Sequence, residues 1–251
     1  MQREYTTPAG NYSRLYSEML SQVHLLIAGA TGAGKSTVVN GIMHAALYHS
    51  PAKVQFILID PKGTELIDYK PLPHCIAYAQ AIPDCIRALQ TTMDIVQRRF
   101  TAMQRAREKL YSGPDIYVII DELMYLFNRK NIKRQAMDLL QDILVIARAA
   151  RVHVIACTQN PTRDTIPAML RCNFDSRIAL RTATVQDSRN IIGVKGCETF
   201  PAPTLEHKAY GAIMINGLVQ VYSLQAIPDC EINRLVQYWI KQSRLKRTFG
   251  H

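Results

Sequence analysis

The sequence predicts an α/β fold: a mostly parallel sheet flanked by helices, finished by an antiparallel hairpin near the C-terminus. Three observations lead there. Short apolar runs rich in β-branched residues alternate with longer stretches of helical periodicity, the order that parallel strands with crossover helices produce. The first such run passes through a glycine-rich turn directly into a helical pattern. Close to the end, two apolar runs flank Asn216-Gly217, the dipeptide preferred in a type I′ hairpin turn.

Taken in order, His24–Ala28 is the first strand and the helix after its glycine-rich turn lies near Lys35–His49. Val54–Asp60 (VQFILID) is the second strand-like run, and Pro61-Lys62-Gly63 ends it. A helix is expected from about Asp84 to Leu110, opened by Pro-Asp capping and stopped by Ser112-Gly113-Pro114. Ile116–Asp121 (IYVIID) is the third run, followed by a helix near Ile132–Ala150. Val152–Thr158 and Arg177–Arg181 give further strands; Ala212–Asn216 and Leu218–Ser223 form the hairpin. A last helix, Glu231–Lys246, follows Pro228-Asp229, and Arg244, Lys246 and Arg247 suit the negative end of its dipole. The near-repeat of AIPDCI (81–86) as AIPDCEI (226–232) is explained by Pro-Asp capping of two helices and needs no duplication.

At 251 residues, 48% hydrophobic and 20% charged, the chain is expected to bury one core. The expected division is an N-terminal extension (1–22), the core (23–228) and a basic C-terminal helix (229–251). No apolar run approaches the roughly 20 residues of a membrane span, and the first thirty residues lack signal-peptide order. Membrane association is therefore expected only through a membrane-anchored partner or sequence outside this chain. The six cysteines show no CxxC spacing, which argues against zinc or a disulfide framework and for reduced thiols in a cytoplasmic protein. The formal charge of +10 favours a polyanionic partner such as nucleic acid or anionic lipid, with a basic but unengaged surface as the alternative.

The chemistry concentrates in Gly29-Ala30-Thr31-Gly32-Ala33-Gly34-Lys35-Ser36-Thr37, a GxxxxGK[ST] motif between a strand and a helix. Gly29, Gly32 and Gly34 let the backbone turn its N–H groups inward, and the following helix adds its positive N-terminus beneath phosphates. Lys35 reaches the β and γ phosphates of ATP, and the Ser36 hydroxyl ligates Mg²⁺. Asp121 and Glu122 end an apolar strand: Asp121 suits the Mg²⁺ water shell, and Glu122 suits the base that activates a water on the γ phosphate. Capping of the next helix is the other use of that pair. Gln159, after a further strand, is a γ-phosphate sensor or part of a turn before Pro161. No Asn-Lys-x-Asp guanine-reading motif is present, and Arg98-Arg99 sit in a long helix rather than a kinase lid.

HLLIAGATGAGKSTVVN (24–40), FILIDPKGTEL (56–66), LPH (72–74), QRRF (97–100), YVIIDEL (117–123), ARAARVHVIACTQNP (147–161) and DSRNIIG (187–193) together resemble the FtsK/SpoIIIE motor domain, over roughly residues 20–230. The resemblance implies a RecA-like P-loop NTPase fold, a hexameric ring that pumps double-stranded DNA, and an arginine supplied to a neighbour's γ phosphate. Arg148 is the first choice for that arginine, with Arg177 and Arg189 behind it; a structural ion pair is the competing role. The family's usual TQRP arginine is Asn160 here, and its membrane region, linker, α-domain and winged helix are not in the sequence. DNA contact is expected, if anywhere, at Asn128–Arg134 (NRKNIKR) and Arg163. The leading functional reading is an ATP-driven DNA translocase of segregation or conjugative transfer. A type VII-like protein-secretion ATPase and a non-hydrolysing nucleotide switch are the alternatives.

Overall fold

A computed structural model describes residues 12–49, 51–128, 130–159, 161–162, 166–204 and 209–249. Eight strands form one sheet: β1 (His24–Ala28), β2 (Val54–Ile59), β3 (Cys75–Ala79), β4 (Asp115–Ile120), β5 (Val152–Thr158), β6 (Ser176–Ala179), β7 (Ala209–Ile215) and β8 (Leu218–Leu224). Their order is β3-β2-β4-β5-β1-β6-β7-β8. The first six are mutually parallel, while β7 and β8 run antiparallel and close the sheet with the Asn216-Gly217 hairpin. The fold class expected from the alternation of runs is the one observed.

Helices cover both faces because strands such as β1 are buried throughout and must be shielded on each side. On one face, α1 (Tyr12–Leu20), α2 (Lys35–His49) and α8 (Asp229–Phe249) contribute Leu15, Tyr16, Met19, Val38, Ile42, Ile232 and Val236 to a core with alternate residues of the strands. On the other, α3 (Ile82–Ala106), α4 (Leu123–Phe127), α5 (Lys130–Ile146) and α6 (Ala168–Arg171) pack Leu89, Val96, Leu126, Leu140 and Leu170 against Val118, Ile120 and Val154. A smaller cluster joins α7 (Val185–Ile192) to β6 and β7.

Several boundaries differ from the sequence pattern. Helix α3 stops at Ala106 because Arg107 takes a left-handed cap (φ 56), and Asp84 sits inside its first turn rather than at the cap, Ala81. Helix α5 ends at Ile146, and Arg151 at φ 54 turns the chain into β5. The sequence pattern gave no element for β3 or α1. Arg99 of α3 is not on a solvated face: it is 7% exposed, donates to the Ala150 and Arg151 carbonyls at 2.7 and 3.2 Å, and lies over the Tyr111 ring.

Candidate functional site

The parallel strands all deliver their C-terminal ends to one edge of the sheet, where Ile59 pairs with Ile120 and Ala28 pairs with both Thr158 and Ala179. The loop 29–34 leaves β1 in the middle of that edge. The Gly29 amide donates to Thr158 O at 3.2 Å and the Ala30 amide to Arg181 O at 2.8 Å, so neighbouring strand ends anchor the loop on both sides. Two glycines are dictated by space. A Cβ on Gly29 would lie 2.7 Å from Leu180 Cβ; on Gly34, at φ 102, it would lie 2.7 Å from Ala209 Cβ. Lys35 opens α2 and donates to the carbonyls of Gly29 and Ala30 at 2.8 and 3.0 Å. Burial lowers its ammonium's pKa, partly offset by the charges of Glu122 and Asp121.

Asp121 and Glu122 leave β4, two strands away from β1, with β5 between. Glu122 is 3% exposed and accepts from the Gln159 amide at 3.1 and 3.3 Å and from the Met124 amide at 3.3 Å. The same carboxylate therefore caps α4 and is fixed to the end of β5. Burial raises its pKa, against the pull of the Met124 amide and of Lys62 and Lys35. Gln159 reaches the glycine-rich loop itself, its side-chain oxygen accepting from the Thr31 hydroxyl at 2.9 Å. Burial pushes the Asp121 carboxyl up to about 6; Lys62, 4.0 Å away, opposes this, while Glu65, Asp60 and Glu122 add to it.

A further loop, 60–66 after β2, was quoted in the sequence resemblance but assigned no role. Asp60 is fully buried and accepts from the amides of Gly63 (2.9 Å), Glu65 (3.1 Å) and Leu66 (2.9 Å). That arrangement aims Lys62 at Asp121 and brings Glu65 to the Ser36 hydroxyl, which donates to it. The buried Asp121 Oδ2 has no hydrogen-bond partner, and the Ser36 oxygen retains lone pairs, so the pair suits a cation. No three His, Cys, Asp or Glu side chains among the described residues form a metal cage of their own. Mg²⁺ held with a nucleotide asks for less, one or two protein oxygens beside phosphates and waters. The residues fit that requirement.

Arg148 is not part of this cluster. It is exposed, in the turn before β5 at the opposite end of the sheet, and no carboxylate among the described residues pairs with it. Arg177 is a structural residue: its guanidinium donates to the carbonyls of Arg171 (2.9 Å), Ile191 (3.2 Å) and Phe174 (3.4 Å). Arg189 is exposed on α7. Of the basic segment 128–134, Arg134 is exposed and lies 3.8 Å from Asp138. Arg129, Asn160 and Arg163 fall outside the described residues. None of the described helices is long and apolar enough to cross a membrane.

Comparison with known proteins agrees with this architecture. The sequence model described as the FtsK/SpoIIIE family matches residues 11–199. Among curated proteins, DNA translocase FtsK of Staphylococcus aureus is 35% identical and that of Staphylococcus epidermidis 32% identical, each over 244 residues and 88% of this chain. DNA translocase FtsK of Lactococcus lactis is 34% identical over 196 residues. The chain spans about 30% of the length of the staphylococcal relatives. Two solved structures share the fold. The pCW3 conjugation coupling protein TcpA, a monomer form with ATPγS, gives a TM-score of 0.73 at 16% identity, covering 88% of this chain and 66% of its own. The cytoplasmic domain of the type VII secretion ATPase EccC from Thermomonospora curvata gives 0.69 at 21%, covering 88% and 28%.

Proposed function

The chain belongs to the FtsK/SpoIIIE family, and on that premise we propose that it is an ATP-hydrolysing motor module that moves double-stranded DNA while assembled as a ring. One observation carries the ATPase reading: the Lys35 loop and the buried Glu122 carboxylate, from two separate strands, are joined through Gln159, which bonds to both sides.

In this reading the backbone of 29–34 and the first turn of α2 hold the phosphates, and Lys35 exchanges its loop carbonyls for phosphate oxygens. Ser36 and, through water, Asp121 would hold Mg²⁺, which supplies charge neutralisation on the triphosphate. Glu122 takes the proton of the water that attacks the γ phosphate, and its position is fixed by the Gln159 and Met124 amides. Gln159 also touches Thr31, so it can register whether the loop is loaded. Arg148 serves a neighbouring subunit's site. Duplex DNA as cargo is supported by the relatives named DNA translocase and by the +10 charge, which suits sequence-blind phosphate contacts. Protein secretion is the second reading, favoured by the fold shared with EccC.

ATPase rate with and without duplex DNA, with Glu122→Gln as control, tests this. The wild-type chain should be stimulated by DNA, and the variant should bind ATP but lose about 10²–10⁴-fold in rate. No DNA response together with stimulation by a secreted protein would select the second reading. Equal, negligible rates in both proteins would select a non-hydrolysing switch.

A further inference from the structure

The Ser36 hydroxyl carries one proton and two lone pairs. To ligate a cation it must present a lone pair, and its proton must then go to an acceptor elsewhere. In this structure that acceptor is Glu65 Oε2. A carboxylate there does two things for a hydroxyl ligand: it fixes the direction of the lone pairs and makes the oxygen more basic, as groups behind metal ligands generally do.

The Glu65 side chain is exposed, but the backbone that carries it is held in place. Its backbone amide is tied to the fully buried Asp60 carboxylate at 3.1 Å, between the tied amides of Gly63 and Leu66. Tyr78 donates its hydroxyl to the same Asp60 oxygen at 3.4 Å. The next residue, Leu66, is 1% exposed and locks the loop into the core under α2. Asp121, meanwhile, keeps an oxygen with no hydrogen-bond partner. The two carboxylates therefore have separate tasks available, one on the Ser36 proton and one on the water shell.

We infer that Glu65 is a positioning residue for the cation of this site, accepting the Ser36 hydroxyl proton so that the serine oxygen is aimed at Mg²⁺. The inference rests on the Mg-ATP reading above and concerns the step that reading leaves open, how the serine ligand is oriented.

The test measures metal affinity directly. Mn²⁺ is titrated into the full chain with a non-hydrolysable ATP analogue and followed by electron paramagnetic resonance; binding of a fluorescent ATP analogue in EDTA is measured in parallel. Glu65→Ala should weaken Mn²⁺ half-saturation about 10- to 100-fold, the usual range for groups behind a metal ligand, and leave metal-free nucleotide affinity unchanged. Glu65→Gln, close in shape but without the charge, should fall between, and it carries the comparison should the alanine variant not fold. In a Ser36→Ala background the Glu65→Ala effect should vanish. Mn²⁺ affinity within twofold of wild type overturns the inference, as does an equal loss of metal-free nucleotide affinity. A wild-type chain that binds no nucleotide at all overturns the ATPase reading beneath it.

Discussion

Asp115→Asn should cost the protein stability at neutral pH but progressively less in acid. Asp115 opens β4 and faces the start of β5, where Arg151 grips it in a two-pronged pair, Nε to Oδ1 at 2.8 Å and Nη2 to Oδ2 at 2.6 Å. His153 Nε2 lies 3.0 Å from the same Oδ1. Burial by itself raises the Asp115 carboxyl; the bonds from His153 and Arg151 outweigh it and hold the group at about 2, against an ordinary 3.8. The Asp115 side chain is 17% exposed and that of Arg151 33%, so solvent screens the pair in part. At 1.36 kcal/mol per pH unit, the gap between 3.8 and about 2 corresponds to about 2 kcal/mol. The folded state here prefers the charged carboxylate, so the contribution is complete well above pH 3.8 and drains away as pH falls toward 2. Urea unfolding of wild type and variant at pH 7, 5, 4 and 3 reads it out. The two proteins should differ by about 2 kcal/mol at pH 7 and converge below pH 4. A difference that stays constant from pH 7 to 3 would refute the argument, since it would show that the lost stability does not depend on the charge of Asp115.

Two further predictions concern the site. Gly34→Ala should weaken nucleotide binding about tenfold or more by calorimetry, because the new Cβ meets Ala209 Cβ at 2.7 Å and the backbone at φ 102 costs about 1–3 kcal/mol for a non-glycine residue; adding Ala209→Gly should recover only part of the loss. Arg148→Ala should lower ATPase turnover at least about 10³-fold without weakening nucleotide binding, and mixing it with Glu122→Gln should restore more activity than either variant shows alone; additive behaviour of the mixture would refute a role in trans.

The shape of the glycine-rich loop was legible in the sequence because the backbone itself imposes residue type there. Gly34 must adopt a left-handed φ and Gly29 must let Leu180 approach, so the glycines announce the loop locally. The acidic pair was legible because a continuous apolar run, Ile116–Ile120, ends on it. Strand β3 and helix α1 are among the elements that were not. Strand β3 is an edge strand whose apolar run, Cys75–Ala79, is short and mostly part-exposed, and Pro71 and Pro73 just before it read as a loop. Among its described side chains helix α1 buries Leu15, Tyr16 and Met19, with Leu20 partly buried, and the polar residues around them mask the stripe. The role of Glu65 was hidden for another reason: it is defined by Ser36, 29 positions earlier, and by Asp60, whose side chain serves only backbone amides and one tyrosine hydroxyl. A pattern search can quote such a segment, but its function exists only once the chain has folded.

Arg148 draws its meaning from where the fold puts it. Strand β5 separates it from Gln159, and seven strand residues at about 3.3 Å each span on the order of 20 Å. An exposed arginine with no carboxylate partner among the described residues, at the end of the sheet away from Lys35, cannot serve its own subunit's phosphates. In a two-fold dimer residue i meets j and j meets i, so Arg148 of each subunit would reach the other's glycine loop only with both ends of the sheet in one interface. A head-to-tail arrangement lets one subunit's β5 entrance face the next subunit's glycine loop without that demand, and such contacts form a ring when the rotation closes. The proposed ring accommodates the proposed arginine, and each has its own test. Complementation between Arg148→Ala and Glu122→Gln subunits tests the arginine in trans, because each mixed interface with an intact Arg148 on one side and an intact Glu122 on the other must regain hydrolysis; the mass of the assembly in solution tests the ring.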